Sequence, residues 1–200
     1  MSSEQARQEA AIVERVLGGE RDAYALLVER YNGSLFRYLV RMIGQPADAE
    51  DLTQEAFLRA YLSLASYDPS YRFSTWLFRI ATNLAINRIK AASKIVSLEE
   101  MSDRNEQRDE PPELVDPCAD GRPDQAVERA ERVKMIQNCL QELPADYRAV
   151  VTLRHIAELS YNEIADSIGL PLNTVRTRLH RGRERLGECL EARLLREERP

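Results

Sequence analysis

The sequence predicts an all-α chain: two small helical domains joined by a flexible acidic linker. Three observations carry that expectation. Apolar residues recur at helical spacing almost throughout, and outside short ambiguous runs no alternating strand pattern is convincing. Glycines and prolines fall where helices should stop and start, as at Gly18 and Gly19, Gly44 and Pro46, and Gly169 and Pro171. Between Ser97 and Pro123 the periodicity vanishes, and Pro111, Pro112, Pro117 and Pro123 stand among acids on which no amphipathic face can be drawn. Residues 1–95 therefore read as one domain, 96–125 as linker and 126–200 as a second domain.

The elements follow in order. A first helix, about Gln5 to Leu17, buries Ile12, Val13, Val16 and Leu17. A second begins near Asp22 and aligns Tyr24, Leu27, Val28, Tyr31, Leu35, Tyr38, Leu39 and Met42 in one stripe. A third, about Ala47 to Ala65, turns Ala49, Leu52, Ala56 and Ala60 inward and Asp48, Asp51, Gln54 and Glu55 outward. A fourth starts at Ser74 or Thr75, where a hydroxyl can cap it, and runs to about Ala92. Beyond the linker, a helix from about Gln125 to Leu143 carries Val127, Ala130, Val133, Ile136 and Leu140 on its apolar face. Pro144 opens the next, through Ala157, and two more close the chain.

Charge and chemistry narrow the function. The 200 residues hold 33 acids against 28 Lys and Arg, a net charge of −5, which at first sight argues against a nucleic-acid partner. The distribution reverses that reading. Ser97 to Asp124 holds ten acids and three arginines, a local charge of −7 that leaves +2 on the rest. Cys118, Cys139 and Cys189 are an odd number without C-x-x-C spacing, and with only His155 and His180 beside them they are too few for a zinc site. They read as reduced thiols, one in the linker and two on helices. No secretory leader and no apolar run of membrane-spanning length are present, so a cytoplasmic protein without membrane insertion is expected. Neither histidine has a patterned Ser, Cys or Asp partner and no phosphate-binding Gly-rich loop occurs, so neither an enzyme nor a cofactor site is expected.

The strongest motif is a helix-turn-helix. Ser160-Tyr-Asn-Glu163 is a capping box, in which the Ser160 hydroxyl accepts from the Glu163 amide and the Glu163 carboxylate reaches back. Tyr161, Ile164, Ala165 and Ile168 then form one face, Gly169 ends the helix, and Pro171 starts a longer one. On that longer helix Leu172, Val175, Leu179, Gly182 and Leu186 make a buried seam. The opposite arc presents Asn173, Thr177, His180, Arg181 and Glu184, flanked by Arg176, Arg178, Arg183 and Arg185. Asn and Arg make bidentate contacts to adenine and guanine edges, the Thr methyl packs on thymine, and further arginines neutralise phosphates. The whole arrangement points to major-groove DNA binding. An arginine-rich helix alone would more simply be a solvated surface.

The fourth helix has a second face. Trp76, Arg79, Asn83, Asn87 and Lys90 recur along it, and the loop before it, Tyr67-Asp-Pro-Ser-Tyr71-Arg72-Phe73, is unusually aromatic. Aromatics with basic and amide groups suit unstacked single-stranded bases. For any one aromatic, a place in the core is the plainer reading.

Three segments, Asp48-Ala-Glu-Asp-Leu-Thr-Gln-Glu-Ala-Phe57, Thr75-Trp-Leu-Phe-Arg-Ile-Ala-Thr-Asn-Leu84 and Thr174-Val-Arg-Thr-Arg-Leu-His-Arg-Gly-Arg183, together resemble bacterial extracytoplasmic-function (ECF) sigma factors, the sigma-E group in particular. That resemblance implies a sigma-2 and a sigma-4 domain that bind core RNA polymerase through its β′ clamp helices and β flap, and direct initiation at promoter DNA. It implies that Asp48, Asp51, Gln54 and Glu55 dock on the clamp helices. It implies that the loop from Tyr67 to Phe73, with Tyr71 and Arg72 in it, and Asn83 capture a base flipped from the non-template strand of the minus-ten element; Trp76, Arg79, Asn87 and Lys90 join that melting surface from the face read above. It further implies that Arg176, Thr177, His180 and Arg181 read the minus-thirty-five element, with Asn173, Arg178 and Arg183 added from the arc and flanks read above, and that a cognate anti-sigma factor exists. Two other readings share some features. A response-regulator-type factor would show strands in its N-terminal half, and a sigma-like decoy would need neither the arginine arc nor the melting face.

Overall fold

A computed structural model describes residues 3–99 and 123–197. Most of the expected linker therefore lies outside the described residues. Among them every regular element is helical. The helices are α1 (Ser3–Leu17), α2 (Tyr24–Ile43), α3 (Pro46–Leu62), α4 (Phe73–Glu99), α5 (Pro123–Glu142), α6 (Ala145–His155), α7 (Tyr161–Ile168) and α8 (Leu172–Glu197), with single 3₁₀ turns at Arg21–Ala23 and Leu64–Ser66.

Two element boundaries differ from the sequence expectation. Helix α4 continues to Glu99, into the segment read as linker, because the first proline that can break it is Pro111. Its start also differs: the helix begins at Phe73, and the Ser74 and Thr75 hydroxyls are buried without a hydrogen-bond partner instead of capping it.

The N-terminal unit forms around α2. Leu27, Leu35, Leu39 and Met42 are completely buried on its apolar stripe, and α3 and α4 pack along it. Tyr38 spans the core, its ring edge-on to Phe78 and its hydroxyl 2.7 Å from the Thr82 hydroxyl. A buried phenol needs such a partner, since leaving it unpaired costs roughly 1–3 kcal/mol. Helix α1 is anchored by a group its apolar pattern did not announce: buried Glu9 accepts from the Tyr31 hydroxyl and, at 2.9 Å, from the Gln5 amide.

The C-terminal unit docks on the end of α2. An α-helix leaves its last four carbonyls without intrahelical donors. Gln137 donates to Val40 O at 3.0 Å, Gln141 donates to Arg41 O at 3.0 Å, and Arg148 donates to Met42 O. Side chains from α5 and α6 thus cap α2 from outside its own chain segment. Gly44 ends α2 at φ 91°, and a Cβ there would lie 3.1 Å from the Gln141 side chain, so both conformation and proximity favour glycine. The apolar cluster consequently runs without a break from α1 to α8. This docking also explains a difference on α5: Ile136, expected in the core, is 39 % exposed, whereas Gln137 is only 3 % exposed because its face meets α2.

The three cysteines also differ from expectation. Cys139 and Cys189 are joined as a disulfide between α5 and α8, with Cα atoms 5.8 Å apart across 50 residues. The two helices pack side by side and bring the sulfurs together, which no sequence spacing could reveal. Cys118 lies outside the described residues.

Gly182 marks the closest approach of α8 to α6. A Cβ at this position would stand 2.7 Å from Val151 Cγ2. Ala in place of an ordinary helical Gly stabilises by about 1 kcal/mol. Here overpacking, about 1–3 kcal/mol, opposes that gain. We therefore expect Gly182→Ala to lower stability in urea unfolding, by about 1 kcal/mol net, and Val151→Ala in the same chain to relieve it.

Candidate nucleic-acid interface

The helix-turn-helix forms as its sequence dictates. Ser160 caps α7, accepting from the Glu163 amide at 3.3 Å, while the Glu163 carboxylate accepts from the Ser160 amide at 2.8 Å. Gly169 turns the chain at φ 66°, a left-handed conformation, and α8 follows. Val175, Leu179 and Gly182 form the buried seam of α8, holding it against the rest of the unit.

The outward arc of α8 divides into two groups. Asn173, Arg176, Thr177, His180 and Arg181 are exposed. The flanking arginines are braced: Arg178 pairs with Asp146 at 3.2 Å, Arg183 lies 3.2 Å from the His155 ring nitrogen, and Arg185 stacks 5.2 Å above the Tyr147 ring. Thr177 donates to Asn173 O at 2.9 Å, which leaves its methyl turned from the helix backbone bond. His155 is held below its ordinary pKa by burial, then by Arg183 and Arg154, so it is neutral near pH 7 and receives the Arg183 guanidinium.

A second surface lies on the N-terminal unit. Arg79, Asn83, Asn87 and Lys90 line one exposed edge of α4, as expected. Beside them a pocket of about 370 Å³ is lined by Ser66, Tyr67, Asp68, Tyr71, Thr75, Trp76, Arg79 and Asp166. Its aromatic content is built from the predicted loop, but the rings divide their roles. Phe73 is fully buried and Tyr67 nearly so, and together with half-buried Trp76 they stack as a cluster with centroids 5.4–5.7 Å apart. Tyr71 is exposed at the rim. The Tyr67 hydroxyl, pushed up to about 12 chiefly by burial, with Glu9 and Asp68 adding to it, stays protonated and donates to Tyr71 O at 2.6 Å. Asp68 accepts from the Ser70 amide at 2.9 Å and so fixes the turn of the loop.

Sequence reasoning missed two features of this pocket. Thr75 sits on its wall with a buried, unpartnered hydroxyl oxygen, a signal hidden because it read as a helix cap. Asp166 comes from α7, nearly a hundred residues away in sequence, as does Glu163, which pairs with Arg72 at 3.0 Å. The acidic side of the first helix of the helix-turn-helix thus faces the basic and aromatic loop of the other unit.

The acidic stripe of α3 is present on the surface. Asp51 and Gln54 are exposed, while Asp48 pairs with Arg88 at 2.6 Å and Glu55 with Arg59 at 2.5 Å. Such exposed pairs are weak, about 0–1 kcal/mol, and yield readily to another partner. Among the described residues no cluster of side chains fit to hold a metal occurs, and no helix is long and apolar enough to cross a membrane.

A helical unit carrying an aromatic pocket is followed by a helix-turn-helix unit, the architecture of a two-unit DNA-binding protein. The sequence matches Sigma-70 region 2 over residues 27–95 and Sigma-70, region 4 over residues 134–186. It is 41 % identical to the ECF RNA polymerase sigma factor SigW of Bacillus subtilis, over 89 % of this chain and 94 % of that one. It is 33 % identical to the ECF RNA polymerase sigma-E factor of Escherichia coli, over 86 % and 89 %. Among solved structures, CnrH in complex with the cytosolic domain of CnrY is similar at a TM-score of 0.65 and 25 % identity, over 92 % of this chain and 97 % of that one. The chain belongs to the ECF sigma factors of the sigma-70 family. It binds core RNA polymerase and directs promoter-specific transcription initiation.

Glu163 links the two units to the cap of α7, and its ionisation should be visible in stability. Burial opposes its charge, but the Ser160 hydrogen bonds and Arg72 outweigh burial and hold the carboxyl below its ordinary value of 4.5. A depressed carboxyl contributes stability above its unfolded pKa and loses it as pH falls through the folded one. Glu163→Gln should therefore be less stable than the parent at pH 7, by about 1 kcal/mol. The difference should shrink on acidification below the ordinary carboxylate value, as followed by urea unfolding at several pH values.

Proposed function

We propose that this chain reads a promoter at two places with the surfaces described above and adds no chemistry of its own. The exposed arc of α8, with Asn173, Arg176, Thr177, His180 and Arg181, reads the minus-thirty-five element in the major groove. Arg178 and Arg183 contribute phosphate neutralisation from braced positions. The observation that carries this reading is the contrast along one helix: among the described residues Arg176 and Arg181 have no acidic partner, while their neighbours are tethered. Unpaired guanidiniums on a rigidly seated helix are the groups that bind base edges bidentately.

The pocket between Tyr67 and Arg79 takes a base flipped from the non-template strand of the minus-ten element. Its aromatic wall returns stacking lost on extrusion, a cost of a few kcal/mol, and the buried Thr75 hydroxyl offers a hydrogen bond. Arg72, Asn83, Asn87 and Lys90 follow the backbone of the opened strand. Asp48, Asp51, Gln54 and Glu55 meet the β′ clamp helices, and the C-terminal unit meets the β flap. Residues 1–95 and 126–200 act as the two domains. The chain works in the cytoplasm, is not an enzyme, and is held in reserve by an anti-sigma factor, as its family resemblance implies.

Reading both elements at once requires the units to separate. The elements are about 25 base pairs apart by their names, about 85 Å at 3.4 Å per base pair. A compact chain of this length has a radius of gyration of about 16 Å. Closed, it cannot reach both. Closure also seats Asp166 at the rim of the strand pocket and ties Arg72 to Glu163.

The test is transcription by purified core polymerase carrying this chain, on templates varied at one element at a time. Arg176→Ala should reduce discrimination at the upstream element about tenfold, in line with ~1–3 kcal/mol per bidentate contact. Equal discrimination in both proteins would contradict its role. Asn83→Ala should instead reduce permanganate reactivity of the downstream element while leaving upstream binding intact.

A further inference from the structure

We propose that Cys139 and Cys189 are a reversible redox modification site that fastens the distal half of α8 to α5. The proposal's chemistry stands independently of DNA reading; its meaning for promoter recognition rests on α8 being the recognition helix.

The geometry builds the site from both helices. On α5, Gln137 and Gln141 lie one turn apart and donate to α2, so Cys139, about 200° round from Gln137, faces the other way onto α8. Helix α5 is therefore a shim between the N-terminal unit and the recognition helix. Its sulfur is fully buried, whereas Cys189 is half-exposed. One sulfur is open to attack and the other is sheltered.

Both redox states have a place in the structure. A Glu142 carboxylate oxygen lies 3.3 Å from the Cys189 sulfur, so a reduced Cys189 thiol has an acceptor waiting. The same carboxyl group pairs with Arg193. That ion pair spans α5 and α8 without help from the bridge and keeps the two thiols adjacent after reduction. In a reducing cytoplasm, the location proposed above, a bridge with an exposed sulfur is a transient redox state and not a permanent staple.

A thiolate of a dithiol reductant attacks the exposed Cys189 sulfur, and the Cys139–Cys189 bond breaks. Cys139 leaves as a thiolate and takes up a proton. The reductant's second thiol then attacks the mixed disulfide, releasing Cys189 and closing the reductant's own disulfide. Two electrons and two protons pass to the protein. In the reverse direction, a peroxide oxidises Cys189 to a sulfenic acid with release of water, and Cys139 displaces a second water to form the bridge.

The consequence is mechanical. Helix α8 is seated at Gly182 against α6 and at Cys189 against α5. With the bridge open, its distal turns keep the Glu142–Arg193 pair but lose the covalent seat.

The experiment uses the full chain with Cys118→Ser, leaving only these two thiols. After peroxide treatment, neither cysteine should alkylate under native conditions. A dithiol reductant, without denaturant, should then open Cys189 to alkylation under native conditions, with Cys139 alkylating once the reduced, alkylated chain is denatured, read by intact mass. The oxidised form should melt about 5–10 °C higher, and protease should cut the distal half of α8 several-fold faster in the reduced form. Cys139→Ser and Cys189→Ser should each melt with the reduced chain and show no redox-dependent shift. The proposal is overturned if both thiols stay fully alkylatable after peroxide, if the bridge opens only in denaturant, or if either single variant keeps the shift.

Discussion

The last turn of α2 is the point on which this structure depends. Its orphan carbonyls at Arg41 and Met42 receive donors from Gln141 and Arg148, and the Val40 carbonyl, which already takes the Gly44 amide, receives Gln137 as well. Without those donors a buried helix end would leave several polar groups unpaired, each costing roughly 1–3 kcal/mol. Arg148 brings a charge into the junction and, among the described residues, pairs with no carboxylate; its acceptors are the carbonyls of Met42, Gln141 and Leu143 and the Gln141 side chain. Burial lowers its pKa to about 10, still well above neutrality, so it remains a cation beside the negative end of the α2 dipole. The hydrogen bonds of this junction run to a backbone end, where water can replace them, and the apolar cluster that crosses both units adds to them. A docking of that kind holds a closed form and still permits opening.

That constraint orders the functional surfaces. Because the C-terminal unit seats on α2, α7 falls against the start of α4, where Asp166 lines the aromatic pocket and Glu163 pairs with Arg72. The recognition arc of α8 points away from the junction and stays exposed. The α8 arc is therefore open, and the pocket beside α4, proposed above to take a base, is partly covered in the same closed chain. The uneven charge fits this arrangement. Acids concentrate between the units in sequence, while exposed basic side chains line α4 and α8.

Most of the helical architecture was legible in the sequence because each element carries its own local instruction. The α2 stripe, the Ser160 box, Gly169 and the α8 seam all formed as periodicity and capping require. What sequence could not give were relations between distant segments. Gln137 is buried and Ile136 exposed because α5 meets α2, and no period on α5 encodes its neighbour. Cys139 and Cys189 meet across 50 residues, and Thr75 is a pocket wall in place of a cap, for the same reason. Gly182 was legible as part of the α8 seam, but only packing shows that it lets α8 approach Val151. The aromatic loop was identified as a unit, but only packing divides buried Phe73 from exposed Tyr71.

The free chain is closed, and on the reading proposed above its polymerase opens it. The direct measurement is the distance between fluorophores placed, without cysteine chemistry, at exposed Glu29 of α2 and exposed Glu188 of α8. In the free chain the pair should report a single short distance, set by the α2 junction. On binding core polymerase that distance should lengthen by tens of ångströms, as a span of about 85 Å between promoter elements demands. An unchanged distance in the complex would contradict the account.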